Sequence, residues 1–300
     1  MREEIIVCFW VLCWVNAFPQ SNIRISNFWE NPYTLNPAAI NNRDLAEFSL
    51  VGRKQWVNVE GAPSTCLATA TTYLDRFHTQ LGLKVIDDKI GFTSDSHYYL
   101  SYGYDVKLNE EWHMGLGLSG SYDRFSYDLS QLSLDESVDP EAYQSLLDEK
   151  HFNADLGLEF QNNSYRIGAV SQRLFSGVNS AYQPRTNILY LKYRNFRPDP
   201  VNWGFGVAGF QYAKLYQMEF SVQSYFSAFR LTEQSDQFHI GAFYRTQGEV
   251  GAIFGLNLTK SLYMSYSYDW NNSAIGYRSR GTHELMLIYR IPNDKGCNCH

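Results

Sequence analysis

The carboxyl-terminal tail carries the residues with the clearest capacity for metal chemistry. Cys297, Cys299 and His300 stand close together and could supply two thiolates and one imidazole. Three ligands on a short tail leave a zinc site under-coordinated unless a partner adds a fourth. The spacing therefore favours oxidation or inertness over metal binding, and we expect no metal site.

The histidines are the next candidates, and their spacing does not suit metal binding. They are His78, His97, His113, His151, His239, His283 and His300. The sequence also lacks the Gly-x-Ser-x-Gly elbow of hydrolases, the phosphate-binding loop of NTPases and the glycine fingerprint of dehydrogenases. We therefore expect a protein that is not an enzyme and that binds no cofactor.

The charge of the chain argues against a nucleic-acid partner. The formal net charge is −6, the pI is near 5.7, and the 25 Lys and Arg residues are scattered. Phosphate backbones are bound by clustered positive charge, which this composition does not supply.

The amino terminus has the pattern of a secretory signal peptide. Ile5 to Val15 is almost wholly apolar, and Val15-Asn16-Ala17 provides a small-residue cleavage site. This run is shorter than the ~20 residues that a membrane-spanning helix needs. We predict a signal peptide at residues 1–17, with a retained anchor helix as the alternative.

The rest of the chain alternates apolar and polar residues with a period of two. Leu116 and Leu118 alternate with Gly117 and Ser119, and similar segments of ~10 residues recur from residue 45 to residue 291. A closed barrel is the way in which strands satisfy every backbone polar group inside lipid. The pattern predicts an all-β fold, a transmembrane antiparallel up-and-down β-barrel.

About fourteen strands fit this pattern, an even number as such barrels require. They are predicted to begin near Leu45, Thr65, Leu81, Ser96, Glu111, Lys150, Tyr165, Arg185, Val201, Tyr216, Asp236, Glu249, Ser261 and Gly281. Short and long connections alternate, which places both termini on the periplasmic side and the acidic stretch 128–149 outside. Residues 18–44 then form an N-terminal periplasmic or plug segment, and residues 292–300 form a periplasmic tail.

A soluble sandwich or lipocalin-like barrel is the alternative fold, because alternation alone does not say which face is inside. Asp155, Arg166 and Glu284 lie on the less apolar face together with Gly and Ser residues. Such a face suits a wet interior better than a packed core, so the pattern favours the membrane barrel.

Short motifs near the two ends of the predicted barrel identify a family. At the front stand Asn31-Pro32, Asn36-Pro37-Ala38-Ala39, Arg53-x-Gln55-Trp56 and Gly61-Ala62-Pro63-x-Thr65; at the back stand Tyr268-Asp269, Ser273 and Gly281-Thr282-His283-Glu284-Leu285. In this order and spacing the chain resembles the PorP/SprF family of Bacteroidota outer-membrane proteins, over almost all of its length after the signal peptide.

The resemblance implies a role in the type IX secretion system and a location in the bacterial outer membrane. The implied function is to bind or anchor secreted surface proteins, such as adhesins and gliding-motility cargo. The implied partners are components of the secretion system, secreted proteins with C-terminal sorting domains, and outer-membrane lipid.

The motif residues also have local physical interpretations. Asn36 and Pro37 suit a short cap or turn before the first strand. Gly61-Ala62-Pro63 suits a loop turn and could also present a partner-binding surface. Arg53 and Trp56 fall at the outer end of the first strand, where we predict an interfacial girdle.

His283 and Glu284 are adjacent on a predicted strand, so their side chains face opposite sides and cannot form one catalytic pair. One of the two is expected to point into the lumen. There it could bond with Arg166, Arg245 or Asp269 from other strands.

A passive channel or small-solute transporter is the alternative function. A barrel of about fourteen strands has room for an aqueous lumen. The lumen would be open unless loops or the segment from Ser21 to Arg43 plug it.

Overall fold

Fourteen antiparallel strands close into a single barrel. The computed structural model describes residues 24–127, 149–176, 184–197, 199–230, 233–246, 248–272, 276 and 278–293. Each strand pairs with its neighbours in the chain, and β1 pairs with β14 to close the wall. The strands are β1 Asp44–Lys54, β2 Ser64–Leu74, β3 Thr79–Ile90, β4 Thr93–Lys107, β5 His113–Tyr127, β6 Glu149–Gln161, β7 Tyr165–Gln172, β8 Thr186–Arg194, β9 Val201–Tyr212, β10 Leu215–Arg230, β11 Glu233–Arg245, β12 Glu249–Asn257, β13 Leu262–Asn271 and β14 Thr282–Pro292.

The strand prediction from the sequence is confirmed. Every predicted starting position lies within three residues of an observed strand start, and the total is fourteen. The strands extend from Asp44 to Pro292, one residue further at each end than the predicted 45–291.

The outer face of the wall is apolar, and the inner face is mostly polar with two apolar clusters. In β5, Leu116 and Leu118 are 44% and 53% exposed on the outside, whereas Gly117 and Ser119 are buried on the inside. Aliphatic and aromatic side chains on the outward positions of the other strands are exposed in the same way. This arrangement is the reverse of a lipocalin-like barrel, whose apolar face would line the interior. The soluble alternative is therefore wrong, and the outer face suits a bilayer.

No helix in the described ranges is long and apolar enough to cross a membrane.

The strand connections differ in length at the two ends of the barrel. We call the end that holds Asp44 and Pro292 the terminal end, because β1 begins and β14 finishes there in register. The opposite end, the long-loop end, carries the connections 55–63, 128–148, 173–185 and 272–281. Most of the acidic stretch 128–149 lies outside the described residues. The assignment of the terminal end to the periplasm stays a prediction.

Residues 24–43, which we call the inner segment, lie inside the barrel. Ser26 bonds to β13 and β14, Asn31 bonds to Ser49 of β1 and Thr69 of β2, and Asn36 bonds to Tyr190 of β8. A 3₁₀ turn at Pro32–Thr34 bends the chain midway. The segment runs from the long-loop half of the lumen to the terminal end, where it enters β1. Residues 1–23, including the predicted signal peptide, lie outside the described residues, as do residues 294–300 with Cys297, Cys299 and His300.

Glycines on the inner face allow the inner segment to touch the wall. A Cβ added to Gly117 would stand 2.2 Å from the backbone nitrogen of Ala38, and one added to Gly157 would stand 1.9 Å from the Asn36 side-chain oxygen. Side chains larger than hydrogen at these two positions would collide with residues 36–38. Gly117 of β5 and Gly157 of β6 thus form part of the wall against which the segment packs.

We predict that Gly117→Val loosens the inner segment and leaves the barrel intact. Overpacking of this kind costs about 1–3 kcal/mol, equivalent to roughly 5- to 150-fold in a local opening equilibrium. Hydrogen exchange followed by mass spectrometry should show peptides that cover residues 36–40 exchanging faster by that factor. Gly120→Val is the matched control, because Gly120 lies on the same strand with no atom within 4 Å of its added Cβ. Equal acceleration in both variants would contradict the packing role.

Candidate functional site

Three motif residues from opposite ends of the sequence meet inside the barrel. Arg53 of β1 lies directly across from Glu284 of β14 in the strand register. The Arg53 guanidinium donates to Glu284 Oε2 at 2.9 Å and to Asp269 Oδ2 of β13 at 2.8 Å. All three side chains are at most 5% exposed. This ion-paired group joins the first strand to the last two.

The predicted girdle role of Arg53 is wrong. Arg53 has the same strand parity as Glu47 and Ser49, which are buried on the inner face, whereas Phe48 and Leu50 point outward. Its charge is therefore neutralised in the lumen and does not lie at the headgroup level. Glu284 points inward as the sequence suggested, but its cationic partner is Arg53 and not Arg166 or Arg245.

A second arginine extends this group across the lumen. Arg245 of β11 donates from Nε to Glu219 Oε2 at 2.7 Å and from Nη1 to Glu249 Oε2 at 3.0 Å. The same Nη1 also lies 3.4 Å from Asp269 Oδ2. Arg24 adds a third positive charge, 3.6 Å from Glu219. We call this group the charge cluster: Arg24, Arg53, Arg245, Glu219, Glu249, Asp269 and Glu284.

The charge cluster holds the start of the inner segment through its backbone and side chains. The backbone nitrogens of Ser26 and Asn27 donate to the two Glu284 oxygens at 2.8 and 3.0 Å. The Ser26 hydroxyl donates to Asp269 at 2.7 Å and accepts from Arg53 at 2.5 Å. Trp29 Nε1 donates to Glu219 at 3.0 Å. Carboxylates that accept this many bonds are fixed in place, so the cluster anchors a peptide segment.

The sequence did not single out Arg24, Ser26, Trp29 or Glu219 as members of this site, although it placed Arg245 among the residues expected to bond in the lumen. Glu219 and Arg245 lie directly opposite each other on β10 and β11, an ordinary cross-strand pair. Strand parity could have placed both side chains inside the barrel. The contact with Ser26 depends on a chain separation of more than two hundred residues, for which one sequence gives no local signal.

Asn36 and Pro37 lie in the inner segment, where Asn36 is fully buried. The Asn36 side-chain oxygen accepts from the backbone nitrogen of Ala38 at 2.9 Å, which forms a tight local turn. Its amide nitrogen donates to the Leu158 carbonyl at 3.2 Å and to the Tyr190 hydroxyl at 3.0 Å. Asn36 therefore shapes the segment and ties it to β6 and β8.

The remaining front motif residues form a loop above the charge cluster. Gln55 donates from its backbone to the Pro63 carbonyl at 2.9 Å, and the Gly61 carbonyl accepts from Gly91 at 2.9 Å. Trp56 has a φ of 44°, and Gly61 has a φ of 68°, so both adopt left-handed backbone. Ala62 and Pro63 are buried, and the Thr65 hydroxyl donates to Asp88.

The back motif residues meet this loop. Val57 donates to the Gly281 carbonyl at 2.9 Å, and Arg280 donates to the Val57 carbonyl at 2.8 Å. Gly281 has a φ of 76°, which suits glycine at this junction. Tyr268 and His283 face outward with ring centroids 5.2 Å apart. Ser273 lies outside the described residues.

The described residues contain no group of three or more His, Cys, Asp or Glu side chains with the arrangement of a metal site. Within that part of the chain Cys66 is an exposed free thiol on β2.

A model of the type IX secretion system membrane protein PorP/SprF family matches residues 17–289. The chain belongs to this family. Membership implies a role in type IX secretion, and together with the apolar outer face of the fourteen-strand barrel it places the protein in the outer membrane. A search of curated proteins finds no match.

Solved structures similar to this PorP/SprF barrel are outer-membrane proteins. The toluene transporter TbuX of Ralstonia pickettii is 10% identical with a TM-score of 0.49, and the match covers 86% of this chain and 92% of that chain. The CymD monoaromatic hydrocarbon channel is 12% identical with a TM-score of 0.49, over 91% and 94%. CdiB from Acinetobacter baumannii is 9% identical with a TM-score of 0.45, over 82% and 60%.

We predict that Arg53 and Glu284 are strongly coupled in stability. Breaking a buried ion pair by removing one partner costs about 3–5 kcal/mol, because the other charge stays buried. Arg53→Met and Glu284→Gln should each lower the free energy of unfolding by this order in urea titrations of the detergent-solubilised barrel. The double variant should lose clearly less than the sum of the two losses.

The exposed pair Lys107 and Glu110 at the terminal end is the control for this cycle. Its atoms lie 2.9 Å apart, yet both side chains face solvent. Glu110→Gln should leave the unfolding midpoint unchanged. Additive losses at Arg53 and Glu284 would show that the two side chains act independently.

Proposed function

We propose that this barrel is a plugged outer-membrane scaffold that supports type IX secretion by binding or anchoring secreted surface proteins. The cargo would be adhesins or gliding-motility proteins that carry C-terminal sorting domains. The observation that carries the proposal is the inner segment, which crosses the lumen and bonds to strands on all sides. A lumen occupied by the protein's own chain directs partner binding to the loops.

The long-loop end offers such a partner a surface of loops that are hydrogen-bonded to one another. The loop of Gln55, Trp56 and Gly61 is hydrogen-bonded both to residues 280–281 and to Gly91. Arg53 stands two residues before this loop and is held by Glu284 and Asp269 of the charge cluster. A loop held by a rigid base is a suitable binding surface, because little conformational entropy is lost on association.

We expect Trp56→Ala to reduce cargo recovery while the barrel stays in the outer membrane. Truncating a central aromatic anchor of an interface costs about 2 kcal/mol or more, so cargo recovered by affinity purification should fall by roughly tenfold or more. Trp270→Ala is the control, since Trp270 is 45% exposed on the lipid-facing side of β13. The readout is mass spectrometry of proteins purified with the tagged barrel, together with surface labelling of adhesins. Unchanged cargo recovery and normal display with Trp56→Ala would contradict this surface as the anchor.

The alternative function, a passive channel or small-solute transporter, predicts a different electrical property. We expect the full-length barrel to show no steady conductance in planar bilayers, because the inner segment is bonded across the lumen. Deleting residues 24–40 should produce a stable open conductance. Steady conductance of the full-length protein with a preference among solutes would favour the channel and overturn the plugged scaffold.

A further inference from the structure

The rim of the barrel has a step between β6 and β7 at the long-loop end. The ladder between these strands spans only Leu156–Gln161 and Arg166–Ser171 and is shorter than any other ladder of the described wall, although β6 begins at Glu149. Residues 149–155 of β6, roughly 24 Å of extended strand at 3.4 Å per residue, therefore rise above the paired part of β7. On its other side this stretch pairs with β5 as far as Phe125.

The step arises where the chain leaves β7. Arg173 follows the last residue of β7 and adopts left-handed backbone with a φ of 58°, which turns the chain out of the strand. The next residues return to β6 through single bonds. The Leu174 nitrogen donates to the Ala154 carbonyl at 2.8 Å, and the Phe175 nitrogen donates to the Asn153 side-chain oxygen at 3.0 Å. No described strand continues the pairing with β6 above Ala154.

Phe152 carries the open part of this edge. Backbone groups of alternate residues point to the same side of a strand, so the N–H and C=O of Phe152 share the side on which Ala154 accepts from Leu174. Within the described ranges no residue bonds to these two groups of Phe152. Glu149 and Lys150 lie nearer the rim and are exposed, so the edge stands at the water-facing border of the apolar band.

Two exposed aromatic side chains flank the open edge. Phe152 is 76% exposed and points outward from the wall, where its ring centroid lies 5.3 Å from that of Tyr122. Phe175 is 74% exposed and belongs to the chain that bonds to Asn153. A sheet edge binds an extended peptide through main-chain hydrogen bonds, which give affinity, and through side-chain contacts, which give selectivity. Both features are present at Phe152.

We propose that a secreted partner adds a β-strand to the edge of β6 at Phe152, with apolar side chains of that strand against Phe152 and Phe175. This inference rests on the proposed function, cargo binding at the long-loop end, and deepens it by naming the mode of contact. The occupant is an extended polypeptide segment, because a backbone supplies the donors and acceptors that match a strand edge. The loop that carries Trp56 lies at the same end, so one cargo domain can contact both surfaces.

Hydrogen exchange at the Phe152 amide tests strand addition directly. The probe is the C-terminal domain of an adhesin that is recovered with the tagged barrel, and the full-length barrel is measured in detergent with and without this domain. In the barrel alone the Phe152 amide should exchange rapidly. In the complex its exchange should slow by roughly tenfold or more, because it becomes part of a ladder. Slow exchange in the barrel alone would show that the edge is already covered and would overturn the proposal.

Two substitutions of Phe152 separate the backbone contact from the side-chain contact. Phe152→Pro removes the amide hydrogen, and proline is tolerated on a strand edge whose N–H faces away from the ladder, so the barrel should keep its place in the outer membrane. Cargo recovery should fall by roughly tenfold or more. Phe152→Leu is the matched control, because it keeps the amide and an apolar side chain, and recovery should stay within about twofold. Equal recovery with the two variants would overturn the proposal.

The outcomes also separate strand addition from cargo anchoring itself. A complex that forms without protection of the Phe152 amide overturns strand addition and leaves cargo anchoring intact. Failure of the unaltered barrel to recover any cargo overturns both. Pairing of β6 between two copies of the barrel would protect the Phe152 amide without cargo, and the protection would weaken on dilution; this result would also overturn the proposal.

Discussion

The barrel depends on the ion pair between Arg53 and Glu284, which serves two structural elements at once. The two residues face each other across the seam between β1 and β14, where the wall closes. The same Glu284 carboxylate accepts the backbone nitrogens of Ser26 and Asn27. Closure of the wall and retention of the inner segment therefore share one set of buried charges. A neutral seam would leave those backbone donors without a partner inside the lumen.

The lumen is largely polar and holds the inner segment, which also packs against the wall through two apolar clusters. Serine and threonine side chains of the wall bond to polar groups of the inner segment, as in the bonds of Asn31 to Ser49 and Thr69. Glycines such as Gly117 let the two backbones approach closely. The apolar residues of each alternating strand thus face the lipid, and the small polar residues contact the inner segment.

The strands could be predicted from sequence because their pattern is local. A strand can be recognised from the alternation of apolar and polar residues over about ten positions. The turn at residues 162–164 can be recognised from its Asn and Ser residues. The site could be predicted only in part. Arg53, Asp269 and Glu284 lie in recognisable motifs. They come together only because β1 pairs with β14, which the sequence pattern of a single strand does not show. The position of Arg53 at the end of a strand suggests the girdle, whereas the parity that it shares with Glu47 and Ser49 places it in the lumen.

The position of the inner segment has a consequence for the order of assembly. Ser26 contacts Glu284 across 258 positions of the chain, and the wall between them is a closed ring. The inner segment leads into β1 at one end of the barrel and bonds to strands on every side. It therefore cannot enter between two strands after β1 and β14 have paired. After closure the segment can enter only through an end of the lumen. The last strand of the chain carries the carboxylate that holds nearly the first described residues, and such distant contacts form slowly.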